Sequence, residues 1–321
     1  MRSLTVFLSA GVLAVTTWAQ APQTTPPWAY ALNPPAVPGA QPAADDGKPK
    51  TVPGSSVSLM DPQIHDLFNP PDWYPDDHPQ MTGVVAHGRK PEVRACAYCH
   101  LPNGQGRPEN AGVAGLPAAY IVQQMSDYKN GLRKSAEPRM GPPALMLAIG
   151  KAANDAEVKQ AAAYFSSLKF RQWIRVVETK TVPKTKVSGW MLTDAEQGKE
   201  PIGSRIIEMP ENLERTELRD SKSSFIAYVP LGSIKKGEAL VKTGGAGKTI
   251  ACGLCHGEDL KGLGIVPPLA GRSPSYVVRQ LNDIKTGNRN GMWAQLMKAA
   301  VAKLTVEDMV AIAAYTSSRQ P

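Results

Sequence analysis

CAYCH at residues 96–100 and CGLCH at residues 252–256 hold all 4 cysteines and two of the 5 histidines of a 321-residue chain. The two copies lie 156 residues apart and leave no cysteine over. C-x-x-C-H is the attachment signature of c-type haem. Two thiols two residues apart on one helical turn can each add to a haem vinyl group, and the histidine that follows turns its imidazole to the iron. Half a zinc site would need a second ligand pair, and each copy ends in a single histidine. A thioredoxin-like redox pair would need a βαβ context that neither copy has. The pattern therefore predicts two covalently attached haem c groups. Cys96, Cys99 and His100 hold one; Cys252, Cys255 and His256 hold the other.

The N-terminus says where such cysteines work. Arg2 is followed by a short apolar run, Leu4 to Val15, and then by TTWAQA, with small residues spaced for cleavage after Ala19. This is the layout of a secretory signal peptide, and the run is too short for an ordinary membrane span. The expectation is a periplasmic protein that meets membranes only through its partners. In an oxidising compartment disulfides are the usual fate of cysteine, yet four cysteines in two haem motifs are no disulfide scaffold. Lys and Arg number 36 against 28 Asp and Glu, a net charge of +8 that falls by one if Arg2 leaves with the leader. A basic balance suits partners with acidic faces. Aromatics do not interleave with basic runs as nucleic-acid binding would require, so no nucleic acid is expected.

Each haem iron has two axial positions, so each histidine needs a partner or an open face. An internal repeat supplies the register for finding it. AGLPAAYIVQQMSDYKNGLR (114–133) follows the first motif and AGRSPSYVVRQLNDIKTGNR (270–289) the second, with Tyr120 and Tyr276 at the offset of the cysteines. Both segments read as helices. Pro117 and Pro274 lie near the starts, Ser273 is a good N-cap, and Gly131 and Gly287 are stops. Ile121, Met125 and Tyr128 form one apolar stripe, and Val277, Leu281 and Ile284 its counterpart. A second repeated helix opens with Asn154 and Glu157 in one copy and Thr305 and Asp308 in the other, both capping-box patterns. Met146 lies 8 residues before Asn154 and Met297 lies 8 before Thr305, whereas Met140 and Met292 stand 14 and 13 before the same caps. Met146 and Met297 are therefore the expected distal ligands. Met125 and Met309 fall on apolar helix faces and read as core. His65, His78 and His87 precede the first motif and have no counterpart before the second.

These motifs resemble the dihaem class I cytochromes c of bacteria, tandem two-domain proteins, over residues 82–169 and 233–320, with AAAYF and IAAYT in the two last helices adding to the likeness. The resemblance implies a mainly α fold with two helical haem domains, His/Met ligation and electron transfer. It also implies a proline after each motif whose carbonyl braces the haem histidine. Pro268 in PPLAG fits that role, while Gly112 stands at its place in the first copy. The family's first helix is recognisable only in the second copy, as SIKKGEALVKTGG; before Cys96 stands VVAHGRKPEVRA, with Pro91 in the way.

The resulting organisation is a signal peptide (1–19), a Pro-rich arm (20–81), a first haem domain (82–169), a linker (170–232) and a second haem domain (233–321). Residues 22–80 hold 14 of the 29 prolines and read as an arm disordered through about residue 60, with DLFNPPDWYPDDHP packing on the body or docking a partner. The linker carries β-branched residues and turns, reads as short strands or extended chain, and is too long for a bare loop; it is expected to lie along both domains. With both axial positions filled, no catalytic residue is expected, and the reading is an electron carrier between redox proteins, a periplasmic dehydrogenase or terminal oxidase among them. The alternatives are a dihaem enzyme of the peroxidase or thiosulfate dehydrogenase type, favoured only by the irregular first domain, and a haem subunit of a dehydrogenase tethered by the arm.

Overall fold

The computed structural model describes residues 25–35, 39 and 45–321. The expected signal peptide lies outside the described residues. Helices are the main regular structure, in two series separated by a small sheet. The first series is α1 (Asp61–Ile64), α2 (Gly83–Ala86), α3 (Cys96–His100), α4 (Ala118–Lys129), α5 (Gly141–Ala152) and α6 (Asp155–Ser167). The strands β1 (Ile174–Thr179), β2 (Thr181–Ser188), β3 (Met191–Pro201), β4 (Ile207–Pro210) and β5 (Phe225–Pro230) follow, with α7 (Leu213–Glu217) before β5. The second series is α8 (Ser233–Thr243), α9 (Gly253–His256), α10 (Pro274–Lys285), α11 (Met292–Val301) and α12 (Val306–Ser318).

The repeated helices form where caps and stripes place them. In α6, Asn154 Oδ1 accepts from Glu157 N at 2.9 Å while Asn154 N donates to Glu157 Oε2 at 2.8 Å. Thr305 and Asp308 close the same box on α12, at 3.2 and 3.1 Å. These pairs satisfy amide groups that a helix start otherwise leaves without partners. Gly131 and Gly287, with φ of 68° and 77°, end α4 and α10 in the left-handed conformation that favours glycine. The series differ at their beginnings. α8 lies across α12 so closely that a Cβ on Gly237 would collide with the carbonyl of Ala311. The first series has only the four-residue α1 and α2 ahead of its motif.

Residues 170–232 are a folded insertion rather than a strap. β5 is the middle strand of a three-stranded sheet, parallel to β1 and antiparallel to β4, and β2 and β3 form a separate antiparallel hairpin. Phe225, Ala227 and Val229 from β5 enter the same core as Tyr164 and Phe165 of α6 and Ile312 and Tyr315 of α12. The insertion touches both halves, as expected of it. Asn103 Nδ2 donates to Ser221 O at 2.7 Å in the first, and Ile234 N to Glu178 Oε1 at 2.8 Å in the second.

The arm departs from the expectation of a stretch disordered through residue 60. Tyr30, only 2% exposed, donates from its hydroxyl to Asp283 Oδ1 at 2.7 Å and accepts from Asn282 Nδ2 at 2.9 Å, both on α10. Val52, Ile64, Trp73 and Tyr74 form a small core of their own, with Trp73 Nε1 donating to Leu218 O at 2.8 Å. Counting prolines misses what the aromatics do. At roughly 25 cal/mol per Å2, burying a 150–250 Å2 side chain contributes about 4–6 kcal/mol. That offsets the ordering of about three neighbouring residues.

Candidate haem sites

The first motif forms α3 and faces a cavity of about 490 Å3. Cys96, Cys99 and His100 line one wall, and Leu145, Met146 and Ile149 of α5 line another. Such a volume suits a cofactor-sized ligand. Burial pushes the Cys96 thiol up to about 12, with the neighbouring Cys99 adding to the effect, and burial raises Cys99 too. Both sulfurs are therefore neutral at physiological pH. His100 Nδ1 lies 2.8 Å from Ala111 O. A carbonyl can only accept, so Nδ1 carries the proton and Nε2 keeps a lone pair for a metal. Burial, with help from the Arg133 cation, holds this imidazole below its usual range. In the same wall, Arg107 Nε and Glu109 Oε2 are buried without hydrogen-bond partners. The donor set fits haem c.

In the second copy, α9 presents Cys252, Cys255 and His256 in the same order. His256 Nδ1 donates to Pro267 O at 2.8 Å, and burial lowers its proton affinity as it does for His100. Cys252 and Met297 pack half-buried against the main core. The surface around them is apolar and exposed: Leu254, Leu263, Ile265 and Leu296 are between 50% and 79% exposed.

The histidine brace needs a correction of one residue. The accepting carbonyls belong to Ala111 and Pro267, not to Gly112 and Pro268. Pro268 still matters, because a proline holds the residue before it in extended conformation. In the first copy Gly112 O is itself engaged: Arg272 Nη1 donates to it at 2.9 Å and Arg272 Nη2 donates to Ala114 O at 3.0 Å. A buried arginine from the second half thus steadies the loop that proline steadies in the other copy.

Of the methionines, Met146 lines the first cavity, whereas Met140 is buried outside its lining at the start of α5. Met292 is 62% exposed. His65, His78 and His87 are not among the lining residues; His78 pairs instead with Asp72 at 3.1 Å. Met125 packs against the core, as its helix face implies, and also lines the cavity, though its counterpart Leu281 has no sulfur to offer. Among the described residues, no group of three or more His, Cys, Asp or Glu side chains gathers as a metal cluster.

A network joining the two copies is absent from the expectations above. Arg133 Nη2 donates to Tyr276 Oη at 2.8 Å and to Gln280 Oε1 at 3.1 Å. Arg289 Nη2 donates reciprocally to Tyr120 Oη at 2.7 Å and Gln124 Oε1 at 2.9 Å. The backbones repeat the exchange, Lys134 N with Asn288 O at 2.8 Å and Asn290 N with Leu132 O at 2.7 Å. The signal was present, since Tyr, Gln and Arg are identical in both copies at the 156-residue offset.

Comparison with known proteins agrees with this geometry. Residues 85–169 match the family described as Cytochrome c. Cytochrome c-554(548) of Halomonas halodenitrificans is 39% identical over 77 residues, which are 24% of this chain and 93% of that protein. The thiosulfate dehydrogenase electron acceptor of Thiomonas intermedia is 26% identical over 235 residues, 71% of this chain and 80% of its own. Among solved structures, reduced cytochrome c4 from Pseudomonas stutzeri covers 70% of this chain and 93% of that one, at 22% identity and a TM-score of 0.46. The chain belongs to the cytochrome c family, and its fold is mainly α.

Proposed function

We propose that this chain is an exported electron carrier with two covalently attached haem c groups, one held by Cys96 and Cys99 between His100 and Met146, the other by Cys252 and Cys255 between His256 and Met297. In this reading residues 82–169 and 233–321 are the haem domains, 170–232 braces them, and residues 1–19 are removed on export to the periplasm. The observation that carries it is the cavity shared by CAYCH and Met146, in a chain that repeats the motif, the histidine brace and the methionine spacing. When bound, haem c supplies a one-electron iron couple, and thioether ligation favours its reduced state.

The chain's own residues do the rest. The Ala111 and Pro267 carbonyls fix the imidazole tautomers, so that each Nε2 keeps a lone pair that would hold the haem iron. Arg133, Lys134 and Arg279 on the cavity wall match the carboxylate side chains of a haem. The apolar lining excludes water and keeps the site rigid during single-electron exchange. A relative named as a thiosulfate dehydrogenase electron acceptor supports redox proteins as partners, a periplasmic dehydrogenase as donor and a terminal oxidase as acceptor among them. No helix of the described residues is long and apolar enough to cross a membrane. Mass spectrometry of the denatured holoprotein tests the reading, with two haems retained per chain as the expected result. The reduced protein should also resist carbon monoxide. One haem per chain would overturn the two-haem count, and rapid carbon monoxide binding at one site would favour a dihaem enzyme instead.

A further inference from the structure

The first cavity has a wall that its counterpart lacks. β2 ends at Ser188 and β3 starts at Met191, so Gly189 and Trp190 form a two-residue turn with φ of 57° and 67°. Such turns take positive φ at both central residues and favour Asn or Gly there. A bulky indole in left-handed conformation is a conformational outlier that its surroundings must hold. The arm does so: Trp190 N donates to Asn33 Oδ1 at 2.8 Å. The indole lies against Gly141 at the start of α5, where any Cβ would stand 2.5 Å from its Cζ2, and it lines the cavity beside Pro142 and Leu145. From the other side Arg219 lies 3.6 Å above the Tyr98 ring, donates to Tyr98 O at 2.6 Å and reaches the same cavity.

The second copy leaves the equivalent positions bare. The counterparts of Gly141 and Leu145, at the offset that relates Met146 to Met297, are Met292 and Leu296, exposed by 62% and 79%. The counterpart of Tyr98 is Leu254, exposed by 72% where Tyr98 is 9%.

We propose that Trp190 is a positioning residue that closes the first site: in the oxidised protein it pins the start of the helix bearing Met146 and shuts out imidazole, while the second site, also methionine-ligated, yields to it. The proposal rests on the His/Met reading above. Imidazole competes with a thioether for iron, and the near-infrared thioether-to-iron band of the oxidised holoprotein reports methionine ligation. Titrated with imidazole, the wild type should lose half of this band, Trp190→Ala all of it, and Trp190→Phe, which keeps a ring over Gly141, half. In a Met297→His background the remaining band belongs to the first site; it should survive imidazole and disappear when Trp190→Ala is added. If Trp190→Ala does not fold, Gly141→Ala, which pushes the indole off α5, should give the same full loss. Complete loss in the wild type, or half retention in both the Trp190→Ala and Gly141→Ala proteins, would overturn the proposal. Absence of the band before imidazole is added would overturn the His/Met reading itself, a distinguishable result.

Discussion

The two halves of this chain carry the same motif, the same histidine brace and the same methionine spacing, yet they meet solvent differently. Around the first motif the insertion supplies Trp190 and Arg219, and Arg107 is held through Thr216 O at 3.2 Å. Tyr98, Arg107 and Glu109 of the first copy are matched in the second by Leu254, Leu263 and Ile265, all exposed. Each repeat thus carries its own candidate ligands, whereas the chain that covers the first site belongs to neither.

The sharpest way to break this contrast is to remove the methionines one at a time. Met297→Ala and Met146→Ala should each leave one iron without its sixth ligand, lower the potential of that haem alone, and open it to carbon monoxide, because loss of a thioether disfavours ferrous iron. Flash photolysis should show Met297→Ala rebinding carbon monoxide faster from solution than Met146→Ala. Equal rates would mean that the insertion does not shield the first half. Met140→Ala and Met292→Ala should leave both spectra unchanged.

A smaller effect probes the contact between the halves. Arg272 is buried, stacks 3.7 Å above the Phe170 ring, and satisfies two carbonyls of the loop that braces His100. Burial lowers its guanidinium to about 10, still charged at neutral pH. Arg272→Ala should cost about 3 kcal/mol in urea unfolding, since it strands buried acceptors, and should broaden the first haem's spectrum more than the second's. An equal disturbance of both would place the brace elsewhere.

The smallest belongs to the second half alone. Asp308 caps α12 and takes Lys236 at 2.8 Å and Lys248 at 2.7 Å. Burial by itself would raise its carboxyl, but hydrogen bonds from these lysines and from Thr305 prevail and hold it well below the usual range. The folded chain therefore keeps the charge where the unfolded chain takes up a proton, near pH 3.9. The stabilisation is complete above that pH and is lost as pH falls further. Asp308→Asn should cost on the order of 1–2 kcal/mol at neutral pH, a gap that narrows on acidification below about pH 4. A gap that widened there would reverse the assignment.

Much of the helical frame was legible because caps, stripes and stops are local: Asn154 with Glu157, Thr305 with Asp308, and Gly131 with Gly287 act within a turn of their own helices. The candidate donors rest on equally local signals, a contiguous C-x-x-C-H and a methionine spacing counted along one chain, and Met146 does line one cavity with Cys96, Cys99 and His100. What stayed hidden joins distant segments. Nothing near Trp190 says that it lies on Gly141, and nothing near Tyr30 says that it bonds Asp283. The brace was misplaced by one residue because proline was taken for the acceptor, when its effect falls on the residue before it.

The reciprocal contacts of Arg133 and Arg289 also bear on how the two copies can diverge. Each arginine serves the tyrosine and glutamine of the other copy, so a change in either disturbs a contact across the molecule. Tyr, Gln and Arg are identical in both copies, whereas Tyr98 is matched by Leu254 and Glu109 by Ile265. Two segments of one polypeptide are held in step as though they were separate partners obliged to change together.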